Sequence, residues 1–280
     1  MLGYRHAFHA GNFADVHKHA ILVQLLLALR RKDKPFCVID THAGAGLYDL
    51  TSEPAQKNRE YASGIGALWE GPAPGPELGA YLDLVRALNP DGRLRRYPGS
   101  PRIARALLRP GDRLVLTERH PSDHPTLANA FAGDRQVRVH FKDGYTAPEA
   151  FMPPPERRGL VLMDPAFELQ GEFQRLLDAV QRIQRRWATA TVAIWYPIGE
   201  TGPSERFQRA IQGLGIPALC AELGLYPYDR PRGLSGSGMV VLNPPWQIDL
   251  ALARLLPEIL ARLRQDERGQ TRLDWLVAPA

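Results

Sequence analysis

The chain predicts an α/β protein built on a mostly parallel, doubly wound sheet. Three observations carry this. Short apolar runs alternate with amphipathic helical stretches along most of the 280 residues. Four of the runs end in a carboxylate: "FCVID" at Asp40, "RLVLTE" at Glu118, "VRVHFKD" at Asp143 and "GLVLMD" at Asp164. A glycine-containing turn, "THAGAG" (Thr41–Gly46), directly follows the first. In a parallel sheet these strand ends share one edge, and ligands bind in the crevice outside it.

The elements follow in order. Residues 12–31 read as a helix, because Ile21, Leu22, Leu25, Leu26 and Leu29 form a stripe at helical spacing. Basic residues from Arg30 to Lys34 and then Pro35 end it. Phe36–Asp40 is a short buried strand. Composition changes from Thr51 to Arg96, where "GPAPGP" (Gly71–Pro76) splits the segment. Tyr61, Ile65, Leu68 and Trp69 suit one short helix, and Leu78, Tyr81, Leu82, Val85 and Leu88 suit another. Residues 51–96 are thus expected as a helical insert, with 1–50 and 97–280 forming the main domain.

Strands are expected at Arg113–Glu118, Val137–Gly144 and Gly159–Asp164, then a helix near Leu169–Arg185. Further strands fall at Thr191–Tyr196, Ala218–Leu225 and Gly238–Asn243. A helix near Ile248–Arg264 and a final "LDWLVAP" strand close the chain. The strand ending at Asp164 should sit beside the first strand. The late strand Gly238–Asn243 should lie at the far edge.

Hydrophobic residues are 44% of the chain, enough for a real core. The two cysteines, Cys37 and Cys220, suggest neither a disulfide framework nor a cysteine zinc site, which suits a reducing cytoplasm. The N-terminus lacks the apolar stretch of a signal peptide. The longest apolar run, Ala20–Leu29, is too short to span a bilayer and contains Gln24, so no membrane association is expected. The net charge of +5 and pI near 9.3 favour an anionic partner, though mildly.

Strand-end acids often do no more than cap helices. Four of them beside a glycine turn point to a site. Gly44 and Gly46 allow close backbone approach to a ligand, but Asp49 stands where a dinucleotide fingerprint has its third glycine. No phosphate-binding loop of the G-x-x-x-x-G-K-[ST] type is present. Ribose hydroxyls need a carboxylate acceptor, and Glu118 suits them. An adenine amino group needs an acceptor, and Asp143 suits it. S-adenosylmethionine and NAD share these demands.

"DPAF" (Asp164–Phe167) separates them, because hydride transfer has no use for it. An exocyclic amine has its lone pair delocalised into the ring. Two acceptors aimed at its hydrogens draw it towards a nucleophilic form, and the Asp164 side chain and Pro165 carbonyl can supply them. Phe167 can stack on the base. A base handled this way must leave its stack. "NPPW" (Asn243–Trp246) is the closer textual match to an amino-methyltransferase motif, but its expected place argues against it.

The segment "YRHAFHAGNFADVHKH" (Tyr4–His19) contains four histidines. His17 and His19 are two apart, so on a helix they diverge, and no metal site is expected. With Arg5 and Lys18 the segment could meet an anionic ligand or RNA, or be a solvated basic helix start.

With "DTHAGAG", "YPGSP", "LTERHPSD", "KDGY", "DPAFE", "WYP" and "SGMVVLNPPW" following in order, the chain resembles the RlmJ-type methyltransferases of 23S ribosomal RNA over nearly its whole length. The resemblance implies a Rossmann-like methyltransferase domain with a small helical insert. It implies methylation of an adenine N6 by S-adenosylmethionine, without a metal, on naked or early-assembly 23S rRNA by a monomer. It implies cofactor contacts at His19, His42, Ser100, Glu118, Asp143, Gly144 and Asp164, with Asp164 also catalytic. Tyr4 would meet the RNA, Lys18 would assist, and Pro165 and Phe167 would hold the base. The family carries "NPPW" as a non-catalytic feature.

Ala166 departs from the family's Asp-Pro-Pro-Tyr or Asp-Pro-Pro-Phe. It removes a fixed φ and the restraint on the preceding residue. Three alternatives stay open: a DNA adenine methyltransferase, a catalytically dead RNA-binding homologue, and an NAD-dependent dehydrogenase.

Overall fold

Each acid-ended run becomes a strand of one eight-stranded sheet, except that the strand before Asp143 stops at Phe141. The computed structural model describes residues 5–146, 148–199, 202–227 and 234–279. A short 3-10 turn (His6–Phe8) precedes α1 (Phe13–Arg30), β1 (Cys37–Asp40) and β2 (Leu47–Asp49). Then come α2 (Glu53–Asn58), a π turn (Ala62–Gly66), α3 (Ala67–Trp69), α4 (Pro76–Ala87) and β3 (Arg96–Pro98). The chain continues through α5 (Ser100–Leu107), β4 (Arg113–Glu118), α6 (Asp123–Ala130), β5 (Val137–Phe141), α7 (Pro148–Phe151) and β6 (Gly159–Met163). It ends with α8 (Glu172–Arg186), β7 (Thr191–Ile198), α9 (Pro203–Gln212), β8 (Ala218–Gly224), β9 (Gly236–Leu242), α10 (Ile248–Leu263) and β10 (Gln270–Val277).

The strand order is β10-β8-β9-β7-β6-β1-β4-β5. β1 pairs in parallel with β4 on one side and β6 on the other, as expected for the strand before Asp164. The chain winds outward through β4 and β5, then crosses back to β6 and β7. The ends of β1, β4 and β6 therefore flank the point where winding reverses, the place such sheets bind ligands. Alternate strand residues feed two cores. Val38, Leu114, Leu160 and Leu162 pack under α1, α4, α5 and α10. Cys37, Ile39, Val161 and Met163 pack under α8 and α9. Each fully buried Leu or Ile stabilises the fold by roughly 1.5–3 kcal/mol, so both sheet faces are strongly held.

α1 starts at Asn12, whose side-chain oxygen accepts the Asp15 N–H at 3.0 Å. It is buried nearly all round, polar residues included. Asp15, His17, Lys18 and His19 are each at most 4% exposed. The segment is thus an internal helix, which corrects its reading as a solvated basic start.

The late strand β9 is not at the sheet edge. It lies inside, antiparallel to both β7 and β8, and β10 takes the edge. Pairing in this antiparallel way needs no crossover helix, so a late strand can slot inwards. Sequence reading passes over α5, α6 and α9, whose apolar positions are few, and over the short pair β2–β3. Residues 51–96 are largely helical, and Ile65, Leu68, Tyr81 and Leu82 bury themselves in the core that α1 shares.

Candidate active site

The strand ends β1, β4 and β6, the loop after β5 and the buried start of α1 enclose one cavity of about 580 Å³. That volume is in the range of small-ligand sites. After β1 the chain turns through Gly44 and Gly46, both at positive φ (61° and 80°). The turn lets the Gly44 N–H donate to Glu118 at 2.6 Å, while the His120 N–H donates to the other carboxylate oxygen at 2.6 Å. Glu118 is thereby fixed at the end of β4, and each oxygen keeps a second lone pair for a ligand. Burial raises its pKa, which those two backbone bonds partly counter.

Asp143 and Gly144 follow β5. One Asp143 oxygen accepts the Tyr145 N–H at 2.8 Å, and the other accepts Arg119 at 2.9 Å and Arg175 at 3.3 Å. The Arg175 guanidinium lies 4.0 Å from the centre of the Tyr145 ring. His42 lies across from Gly144, and burial keeps it neutral by lowering its pKa to about 4. His19, also neutral with a pKa lowered to about 3 by burial, sits 2.7 Å from the Tyr97 hydroxyl. His17 points elsewhere, to Ser237 at 2.8 Å, so the two histidines diverge as their spacing predicts. Among the described residues no group of three or more His, Cys, Asp or Glu could hold a metal. Among the described residues no helix is long and apolar enough to cross a membrane.

Asp164 stands at the end of β6 with 14% of its side chain exposed. One of its oxygens, Oδ2, is bound by the Lys18 ammonium, which also reaches Asp15 at 2.9 Å. Burial pulls the Lys18 pKa down, but Asp15 and Asp164 outweigh it and hold the ammonium charged. Pro165 is buried and Ala166 exposed. Phe167 takes a left-handed φ of 52°. Its ring lies between Phe173 (centroids 4.9 Å apart) and Trp195 (5.7 Å).

His19, His42, Ser100, Glu118, Asp143 and Gly144 all line this cavity, with Asp164, Pro165, Phe167 and Lys18. Tyr4 lies outside the described residues. Of the four strand-end acids, Asp40 alone is not in the cavity wall; it lies 1% exposed and accepts the His42 N–H at 3.3 Å. Asp15, Trp195 and Arg175 also line the cavity and escape sequence reading. The Asp15–Lys18 spacing of three along a helix is the one signal that could have found Asp15.

Asp40 carries a testable consequence. Burial raises its pKa to about 7, against a smaller opposite effect of the nearby Ser100 side chain. Unfolded, the same carboxyl titrates near ~3.9. Between those limits the folded chain holds the extra proton, so this group lowers stability as pH rises through that window. Asp40→Asn stays uncharged. It should match wild-type stability near pH 3 and exceed it at pH 8 by about 2–4 kcal/mol, measured by urea unfolding. An equal difference at both pH values would sink this.

The "NPPW" stretch is excluded by strand direction. β9 runs antiparallel to β7, with Leu242 opposite Val192, so Asn243 emerges at the edge opposite Asp164. There the Asn243 amide donates to the carbonyls of Ala188 (2.8 Å) and Ala190 (3.0 Å), closing the turn into β7. Trp246 is 82% exposed.

A family model described as "Ribosomal RNA large subunit methyltransferase D, RlmJ" matches residues 33–277. The chain belongs to the RlmJ family. Ribosomal RNA large subunit methyltransferase J of Escherichia coli (strain K12) is 42% identical over 278 residues, 99% of each chain. The protein of that name from Haemophilus influenzae is 41% identical over 279 residues, again 99% of each. Among solved structures, protein LPL1258 of Legionella pneumophila superimposes with a TM-score of 0.89. It is 32% identical, and the match covers 95% of this chain and 98% of that one. Like its RlmJ relatives, the chain is a methyltransferase.

Proposed function

We propose that the protein methylates the N6 amino group of one adenine in 23S ribosomal RNA, with S-adenosylmethionine as donor, acting as a cytoplasmic monomer. In this reading 1–50 and 97–280 form the catalytic domain and 51–96 an insert. The observation that carries the reading is Asp164. Its Oδ2 is occupied by Lys18, its other oxygen is left for a substrate, and an aromatic ring box stands two residues on.

The donor set suits an adenosyl cofactor. Glu118, with both oxygens steered by backbone N–H groups, fits paired ribose hydroxyls. Asp143 fits the adenine amino group beside the glycine backbone of Gly144. Neutral His19 and His42 and the Ser100 hydroxyl add uncharged polar contacts. When bound, S-adenosylmethionine supplies an electrophilic methyl group.

The chain's own part lies with the target base. Asp164 and the Pro165 carbonyl accept its two amino hydrogens and localise the nitrogen lone pair. Phe167 stacks on the flipped ring and fixes its angle of approach. Nitrogen becomes acidic only once methylated, so its proton leaves late and needs no strong base.

Incubation with labelled S-adenosylmethionine and protein-free 23S rRNA from a strain lacking the modification tests this directly. Label should appear in adenine. Label in DNA alone, or none while a known methyltransferase works alongside, overturns it. Ala166 should matter little. Phe167 is held by Phe173 and Trp195, and Pro165 by burial, without help from residue 166. Ala166→Pro should therefore change turnover by less than about threefold. A much larger gain would show the natural loop to be impaired, and lost cofactor binding would show a loop built around alanine.

A further inference from the structure

One buried carboxylate in the cavity wall has no part in the chemistry above. Asp15 is 1% exposed. Its Oδ1 accepts the Lys18 ammonium at 2.9 Å. Its Oδ2 accepts the Gly11 N–H at 2.9 Å and lies 2.8 Å from His6 Nε2. Burial works against its charge, but His6 and Lys18 beside it hold its pKa well below the usual carboxylate range. Lys18 is therefore shared between two carboxylates, Asp15 and Asp164.

Sharing changes what Asp164 can do. A buried ammonium with a single carboxylate partner forms a neutral pair and spends that partner's charge. Two carboxylates around one ammonium divide its charge between them, so Asp164 keeps more of its own next to the substrate amine, where an acceptor needs it. Asp15 also fixes the position of the ammonium, and so which Asp164 oxygen stays free. Its remaining partners, Gly11 and His6, bind it to the N-terminal segment, so it cannot follow Lys18 away.

We propose that Asp15 is a positioning residue for methyl transfer, acting through Lys18 to keep one Asp164 oxygen free, aimed and charged. This rests on the proposed role of Asp164 as the amine acceptor.

Asp15→Asn keeps the shape and can still accept the Gly11 N–H, but loses the charge. In the rRNA methylation assay, kcat should fall about 30- to 100-fold, with KM for RNA within about threefold. Affinity for S-adenosylmethionine, measured by calorimetry, should stay close to wild type. Asp15→Glu should recover part of the lost kcat. In a Lys18→Met background, Asp15→Asn should add less than about twofold, because its route is already cut.

Losses that multiply in the double variant, a loss confined to KM, or wild-type kcat in Asp15→Asn each overturn the proposal. Should the variants fail to fold, the wild-type protein still decides. The Lys18 ammonium should give a slowly exchanging ¹⁵N signal that persists to alkaline pH, and a rapidly exchanging one counts against the shared geometry. Wild-type protein that leaves adenine unlabelled refutes the methylation reading instead, and the Lys18 signal still reports on the triad.

Discussion

Asp164→Asn is expected to cut kcat by about 10³-fold while weakening S-adenosylmethionine binding by no more than about tenfold. An asparagine here has one oxygen and one amino group, and Lys18 can only donate. In the wild type the ammonium binds Oδ2 of Asp164 as well as Oδ1 of Asp15, and an asparagine at 164 offers it only the amide oxygen. The ammonium will claim that oxygen. The amide NH2 is then turned to the adenine amine, donor against donor, at the point where an acceptor is required. Amide chemistry alone is therefore not the obstacle; the neighbouring lysine is. Asp164→Ala should lose a similar amount of turnover, by absence of the acceptor. Single-turnover methylation and calorimetry separate the two quantities. Turnover above about a tenth of wild type in Asp164→Asn would show that Asp164 is not the amine acceptor.

The parts of this site legible in sequence share one property: they sit where an apolar run stops. Glu118 and Asp164 lie at the ends of runs that can only be buried strands, Asp143 follows the half-exposed edge strand β5, and parallel pairing brings all three to one edge. The chemistry of "DPAF" can be read because its acceptors and ring are contiguous. Asp40 follows the same pattern yet is buried outside the cavity wall, and nothing in the local sequence distinguishes it. Strand ends predict an edge, whereas the direction of each side chain depends on packing.

Other parts are illegible for the same physical reason. Asp15 matters through Lys18, His6 and Gly11, and only the burial of α1 under the sheet makes those contacts binding. A helix with charged residues on several sides reads as solvated. Here the charges pair internally, so the helix can be buried whole. Trp195 reaches Phe167 because β7 lies beside β6. The placement of β9 shows the limit for topology. Its apolar run identifies a strand, but antiparallel insertion between β7 and β8 is decided by pairing partners far along the chain. Even so, the exclusion of Asn243 stands, because strand direction places it on the opposite edge.

Gly144→Ala should reduce S-adenosylmethionine affinity by about 10²-fold or more and lower stability by about 1–3 kcal/mol. The cause is close approach, not backbone strain. A Cβ at Gly144 would lie 2.0 Å from the Thr41 carbonyl oxygen and 2.8 Å from the His42 ring. That carbonyl cannot retreat easily, since it accepts the Thr117 hydroxyl at 2.8 Å, while the Thr41 N–H is tied to the Leu162 carbonyl at 3.0 Å. The loop after β1 is thus pinned to both neighbouring strands, and the loop after β5 must give way. Moving it carries Asp143 away from Glu118 and opens the wall of the cavity that holds His42. Gly79→Ala is the control. It lies within α4, and its Cβ would find Pro74 at 3.6 Å, an ordinary contact. It should leave affinity unchanged and stability equal or slightly raised. Calorimetry with S-adenosylmethionine and thermal unfolding of both variants decide the matter. Wild-type affinity in a folded Gly144→Ala variant would mean that the β5 loop does not touch the cofactor, and the assignment of Asp143 would fall with it.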